Sequence, residues 1–332
     1  MARNLVLAGV LALLPAGALA QPDAATFRTP WGDPDLQHVW TSSTLTPLER
    51  PDELAGRTAL TAEEAAASTQ LELRRIDGDQ RVGEGRGDRQ EDTPDGRTDV
   101  GRAYNEFWRE RGRMLRQTSL IVDPPDGRIP YRSGGRPAES PYHGGVGEYP
   151  AGPETRGLAE RCIAWGSAGP PMQPTTYNSN FQLLQTPDHV AIVNEMIHDV
   201  RIVPLDGRPH LASGVRQLLG DSRGHWEGET LVVVTANFTD KTRFRGSSPD
   251  LHLVERFTRV AADTLLYEYT VEDESAWTRP WTAAWPLSSL RSQLGAEPGS
   301  VGAHLFEYAC HEGNYGMTNL LAGARALEPS RD

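Results

Sequence analysis

Four side chains of this 332-residue chain have acid–base potential at suggestive spacing: Glu195, His198, Glu255 and His311. Glu195 stands three residues before His198-Asp199, and His311 is followed by Glu312, so each histidine has a carboxylate beside it in sequence. Such a pair can supply a general base with an adjacent acid, or metal ligands. Neighbours on a strand point to opposite faces, so only one member of each pair can enter a common interior unless the strand ends or bulges there. The plain alternative is a histidine at a strand end, bonded to backbone or solvent.

A second group of residues is suited to holding a ligand. Glu255 and Arg256 interrupt the apolar run Leu253 to Phe257, where alternation turns one of them inward. A charge facing inward needs a partner. Arg256 against a carboxylate ligand, or Glu255 against another arginine in a structural ion pair, meets that need. Lys241, the only lysine, follows the clearest strand and could hold an anion or form a Schiff base if desolvated; a solvated loop is the alternative. Trp277, Trp281 and Trp285 recur every four residues and can stack on a ring system or cap a barrel end. Trp281, Tyr267, Tyr269, Arg256 and Lys241 are the ligand-binding candidates. The remaining histidines lack the clustered spacing of a zinc site, and no nucleophile elbow, phosphate loop, dinucleotide fingerprint or His-Glu-x-x-His occurs. No motif therefore calls for a metal or a cofactor.

Composition narrows the partners. With 33 basic against 45 acidic residues the net charge is -12, which argues against a nucleic-acid backbone. Arg3, the apolar run Leu5 to Leu14 and the small-x-small Ala18-Leu19-Ala20 read as a cleavable export signal over residues 1–20. That run is shorter than the roughly 18 to 20 apolar residues a membrane span needs, so no integral membrane segment is expected after cleavage. The expected location is periplasmic or secreted. In an oxidising compartment Cys162 and Cys310, the only cysteines, are expected to form one disulfide.

The elements that must position these groups change in character along the chain. Residues 21–174 read as an irregular arm, with a helix near 62–75 started by the capping box Thr61/Glu64 and a polar mobile loop at 77–102. A short helix reaching Met114 and a strand at Ser119–Val122 complete the arm. From 175 to 325, short runs alternate with period two: Phe181–Gln185, His189–Glu195, Asp199–Leu205, Thr230–Thr235, and the hairpin Leu251–Val260/Thr264–Val271. Gly224 to Glu229 reads as a tight turn, the Trp277–Trp285 stretch as loop, and Leu305–Cys310 as the closing strand, before a flexible tail at 326–332. Close-spaced strands without intervening helices predict a mainly β fold, an antiparallel lipocalin-like barrel or strongly curled sheet.

The hairpin pattern Trp226-Glu227-Gly228-Glu229-Thr230-Leu231-Val232, Val254–Phe257 and Leu265–Tyr269 resembles lipocalin and fatty-acid-binding-protein barrels. Asp35–Trp40 resembles their Gly-x-Trp opening strand, with His38 where the glycine is expected. This resemblance implies a cavity for a small hydrophobic or amphipathic molecule. Separately, Arg28–Gln37, Gly220–Arg223 and Cys310–Tyr315 resemble a family of exported bacterial proteins, which implies export and a β-rich fold but no particular reaction. Three functions are consistent with the barrel: a small-molecule binder, a cofactor-independent hydrolase, lyase or isomerase, and an envelope protein whose barrel is filled by its own side chains.

Overall fold

The computed structural model describes residues 27–77, 109–132, 150, 152–175, 177–295, 304–312 and 315–327. The export signal at 1–20, nearly all of the loop at 77–102 and most of the tail lie outside these residues.

Nine antiparallel strands curl almost into a closed barrel. In chain order the elements are β1 (His38–Thr41), α1 (Ala62–Ile76), β2 (Ile121–Asp123), β3 (Asn180–Gln185), β4 (His189–Asn194), β5 (Val200–Pro204), β6 (Asp221–Glu227), β7 (Thr230–Ala236), β8 (His252–Ala261), β9 (Thr264–Glu272), β10 (Trp281–Ser289), α2 (Leu290–Leu294) and α3 (Gly316–Ala326). Hydrogen bonding runs β5-β4-β3-β1-β10-β9-β8-β7-β6, with β2 on the same edge of β10 as β1. The meander β3 to β10 is therefore closed by a stave from the N-terminal arm. Its one seam lies between β5 and β6. There a Cβ on Gly224 would stand 2.7 Å from Leu205 and 2.8 Å from Val203, so glycine lets β5 side chains pack against the β6 backbone.

Period-two burial is what makes these segments staves. Register aligns Leu231 with Phe257, Phe257 with Tyr267, and Tyr267 with Trp285, and all four side chains turn inward. The same face continues through Leu183, Ile192 and Arg201 on β3, β4 and β5. In the arm, α1 carries the reciprocal capping box of Thr61 and Glu64 and ends one residue beyond the expected boundary.

Four expectations are corrected. The Trp281–Trp285 stretch is strand β10, not a loop, and its tryptophans line the interior rather than cap it. Pro286 is tolerated because it falls between the part of β10 that pairs with β2 and the part that pairs with β1, where no ladder bond needs its N–H. Residues 224–227 belong to β6, and the turn is confined to Gly228-Glu229. Residues 109–114 are irregular, not helical, and Leu305–Cys310 forms no strand.

Candidate functional site

Two polar centres stand out from the apolar core, one inside the barrel and one at the end of β4. The interior centre begins with alternation on β8, which sends Glu255 inward and Arg256 outward, where Arg256 pairs with Glu227 at 2.8 Å. Glu255 meets Arg201 of β5 in a two-pronged ion pair, Nη1 to Oε2 and Nη2 to Oε1 at 3.1 Å. Tyr267 donates its hydroxyl to Glu255 Oε1 at 2.7 Å and accepts the N–H of Met172 at 3.0 Å. Gln173 donates to the Tyr269 hydroxyl at 3.2 Å, so the 172–173 segment is bound to the lining. Burial works against the charge of Arg201, but Glu255 beside it holds the guanidinium protonated. Burial, reinforced for Tyr267 by the charge of Glu255, pushes both tyrosine phenols above their usual range, so they act as hydrogen-bond groups and not as bases.

Around this pair the lining is aromatic. Trp285 packs edge-to-face on Tyr267 at 5.0 Å, and Trp281 on Tyr269 at 5.7 Å. The indole N–H groups of Trp277, Trp281 and Trp285 are buried and have no acceptor. A buried donor without a partner costs about 1–3 kcal/mol. Trp281 and Trp285 stand four residues apart on the inward face of β10, so two such donors line one wall.

The second centre joins segments distant in sequence. Residues 110–115 run along 43–46, held by Leu45 N–H to Arg113 O at 3.1 Å and Leu115 N–H to Thr46 Oγ1 at 2.7 Å. Gly112 (φ 61°) passes so close that a Cβ would stand 2.6 Å from Ser43 O, a contact that any other residue would break. This placement delivers Glu110 to the start of β3. There Asn180 Nδ2 donates to Glu195 Oε2 at 2.6 Å and to Glu110 Oε1 at 3.3 Å, so one amide nitrogen bridges two carboxylates. Asn178, in the left-handed region at φ 49°, gives its backbone N–H to Glu110 Oε2 at 2.8 Å. Phe306 N–H reaches Glu195 Oε1 at 3.3 Å.

The chain turns sharply after Glu195, with Ile197 at φ 62° and His198 at φ 47°. A β-branched residue in that region is a genuine outlier, and such strain collects at sites held by their surroundings. Here the surroundings are the segment around Tyr308, whose carbonyl lies 3.0 Å from His198 Nδ1, and the disulfide Cys162–Cys310.

The four acid–base candidates do not form one constellation. Glu255 is inside with Arg201, Glu195 faces Glu110, and His198 and His311 are exposed. Of the ligand-binding candidates, Trp281, Tyr267 and Tyr269 share the interior, whereas Arg256 points outward and Lys241 is exposed beyond β7. Sequence reasoning did not identify Arg201, Glu110, Asn178 or Asn180. Arg201 had a usable signal, since it alternates in register with Val203 on β5.

Burial raises the pKa of Glu110 and of Glu195, and the Glu110 charge adds to the effect on Glu195. A carboxyl whose folded pKa is raised contributes stability that is fully present below the unfolded pKa and is lost as pH rises through the folded one. Glu195→Gln is accordingly expected to raise the denaturation midpoint at about pH 8 and to change it little near about pH 3. Urea melts at the two pH values measure this; a midpoint lowered equally at both would contradict it.

No family model, curated protein or solved structure matches the chain. No helix among the described residues is long and apolar enough to cross a membrane.

Proposed function

We propose that the protein is exported and binds a small, uncharged amphipathic molecule inside the barrel, with an acceptor oxygen on the Trp281 and Trp285 indole N–H groups. The observation that carries this reading is the surplus of buried donors on an otherwise apolar wall. Arg201 and Glu255 neutralise each other, so this interior ion pair offers no free counter-charge to an anionic headgroup. A carbonyl or ether oxygen would satisfy the indoles, and the apolar remainder would lie against aromatic rings. The disulfide is consistent with an oxidising, extracellular location, which supports export.

The test is titration of the purified protein with prodan, a neutral naphthyl ketone whose emission shifts to the blue in apolar surroundings. One saturable site is expected, with weaker binding of dodecanoate. Trp281→Phe and Trp285→Phe each keep a ring and remove a donor, and each should weaken binding about fivefold to tenfold, the worth of roughly one hydrogen bond. Absence of saturable binding would favour the filled barrel, the reading to which the close edge-to-face packing of Trp285 and Tyr267 lends weight.

A further inference from the structure

Phe244 covers part of the wall that a barrel ligand needs. Its ring stacks on Trp281, with centroids 6.0 Å apart and planes 23° from parallel, and meets Tyr269 edge-on at 6.0 Å. Trp281 is wholly buried, so a molecule that lies against its ring has to displace what covers it. Residues 172–173 are bonded to the hydroxyls of Tyr267 and Tyr269 and belong to the fixed lining. A phenyl ring forms no such bond, and it offers no acceptor to the buried Trp281 indole N–H. A ligand oxygen would supply what the phenyl lacks.

The backbone that carries Phe244 is loosely tied. Residues 237–251 join β7 to β8 and are fastened at Thr242, whose hydroxyl donates to Leu218 O, and at Ser248, whose N–H donates to Asp273 Oδ2 at 2.5 Å. Between these ties, among the described residues, the hydrogen bonds of 243–247 stay within the loop: Arg243 Nε to Asp240 O at 3.3 Å, and Phe244 N–H to Ser247 Oγ and Ser247 N–H to Phe244 O, both at 3.0 Å. The last two bonds make 244–247 a turn that moves as one piece. Arg245, with its side chain exposed, holds φ 51° inside that turn, the left-handed region that strains any residue with a Cβ.

We propose that residues 243–247 are a flap hinged at Thr242 and Ser248, with Phe244 as a plug that fills the ligand's place on Trp281 and yields it on binding. This rests on the reading of the barrel as a binding chamber. The apparent affinity is then the intrinsic affinity scaled by the fraction of molecules whose flap is open.

The experiment titrates the full chain with prodan at equilibrium and follows association by stopped flow. Phe244→Ala removes the plug and is expected to speed association and tighten binding, each by about tenfold, as for a flap open roughly a tenth of the time. Arg245→Gly keeps every ring in place and relaxes the strained residue, which steadies the closed flap, so association should slow and binding weaken by about threefold to fivefold. Opposite signs mark a flap, because a cavity cut by Phe244→Ala has no mirror in a variant that cuts none. Association in Arg245→Gly as fast as in the native chain, or faster, overturns the flap, even where Phe244→Ala does not fold. Saturable native binding with that result removes the flap alone and leaves the chamber standing; no saturable binding in the native chain or either variant removes both.

Discussion

Glu255→Ala is expected to lower the free energy of unfolding by about 3 kcal/mol, because it strands the Arg201 guanidinium in the barrel interior. The lower end of the range for broken buried pairs applies, since the charge of Asp199 also acts on Arg201. Removing both charges in Arg201→Met/Glu255→Leu is expected to recover most of that loss. A buried pair gains little net stability over apolar residues of similar size, whereas half of one is expensive. A residue of about 1 kcal/mol should remain, because the Tyr267 hydroxyl loses its acceptor on Glu255. Urea denaturation of the two single variants and the double variant gives the coupling directly. A double variant as unstable as the two single losses added together would show that the two residues do not depend on each other.

Replacing both cysteines, Cys162→Ala/Cys310→Ala, is expected to lower stability by about 5 kcal/mol in the chain-entropy account of a loop this long. The bridge spans 148 residues of sequence, and strands β3 to β10 all lie between its ends. It therefore restricts the unfolded state of nearly the whole barrel, and its loss should raise the denaturant slope while lowering the midpoint. A midpoint equal to that of the native chain would mean that the disulfide only tethers the 304–312 segment and that this segment frays before the barrel opens.

Strands such as β7, β8 and β9 were legible in the sequence because half-buried staves alternate, and Leu253, Glu255 and Phe257 face inward in turn. β10 was not, because Pro286 and tryptophans four residues apart break the expected strand pattern, and only the gap between its two neighbours explains the proline. β6 hides for another reason: Asp221-Ser222-Arg223-Gly224 contains no β-branched or aromatic residue, and its place is set by the partners it meets. Leu305–Cys310 forms no strand, and its residues do not alternate, since Leu305-Phe306 and Tyr308-Ala309-Cys310 are apolar neighbours.

Site residues divide along the same line. The inward turn of Glu255 and its need for an arginine followed from local alternation, but the choice of Arg201 depends on how β5 returns beside β6. Glu110 stands in Arg109-Glu110-Arg111-Gly112, a stretch with no local mark of function. Its meeting with Glu195 depends on the arm's path along residues 43–46, which no spacing in the chain encodes.

The barrel as a binding chamber is tested most directly by the indole resonances of 15N-labelled protein, one for each of the 8 tryptophans, recorded with and without prodan. Hydrogen bonding to a ligand oxygen should move the Trp281 and Trp285 indole signals downfield, while the indole of the half-exposed Trp31 stays in place. Signals of Trp281 and Trp285 that do not move at saturating prodan, or a shift confined to Trp31, would contradict an interior site.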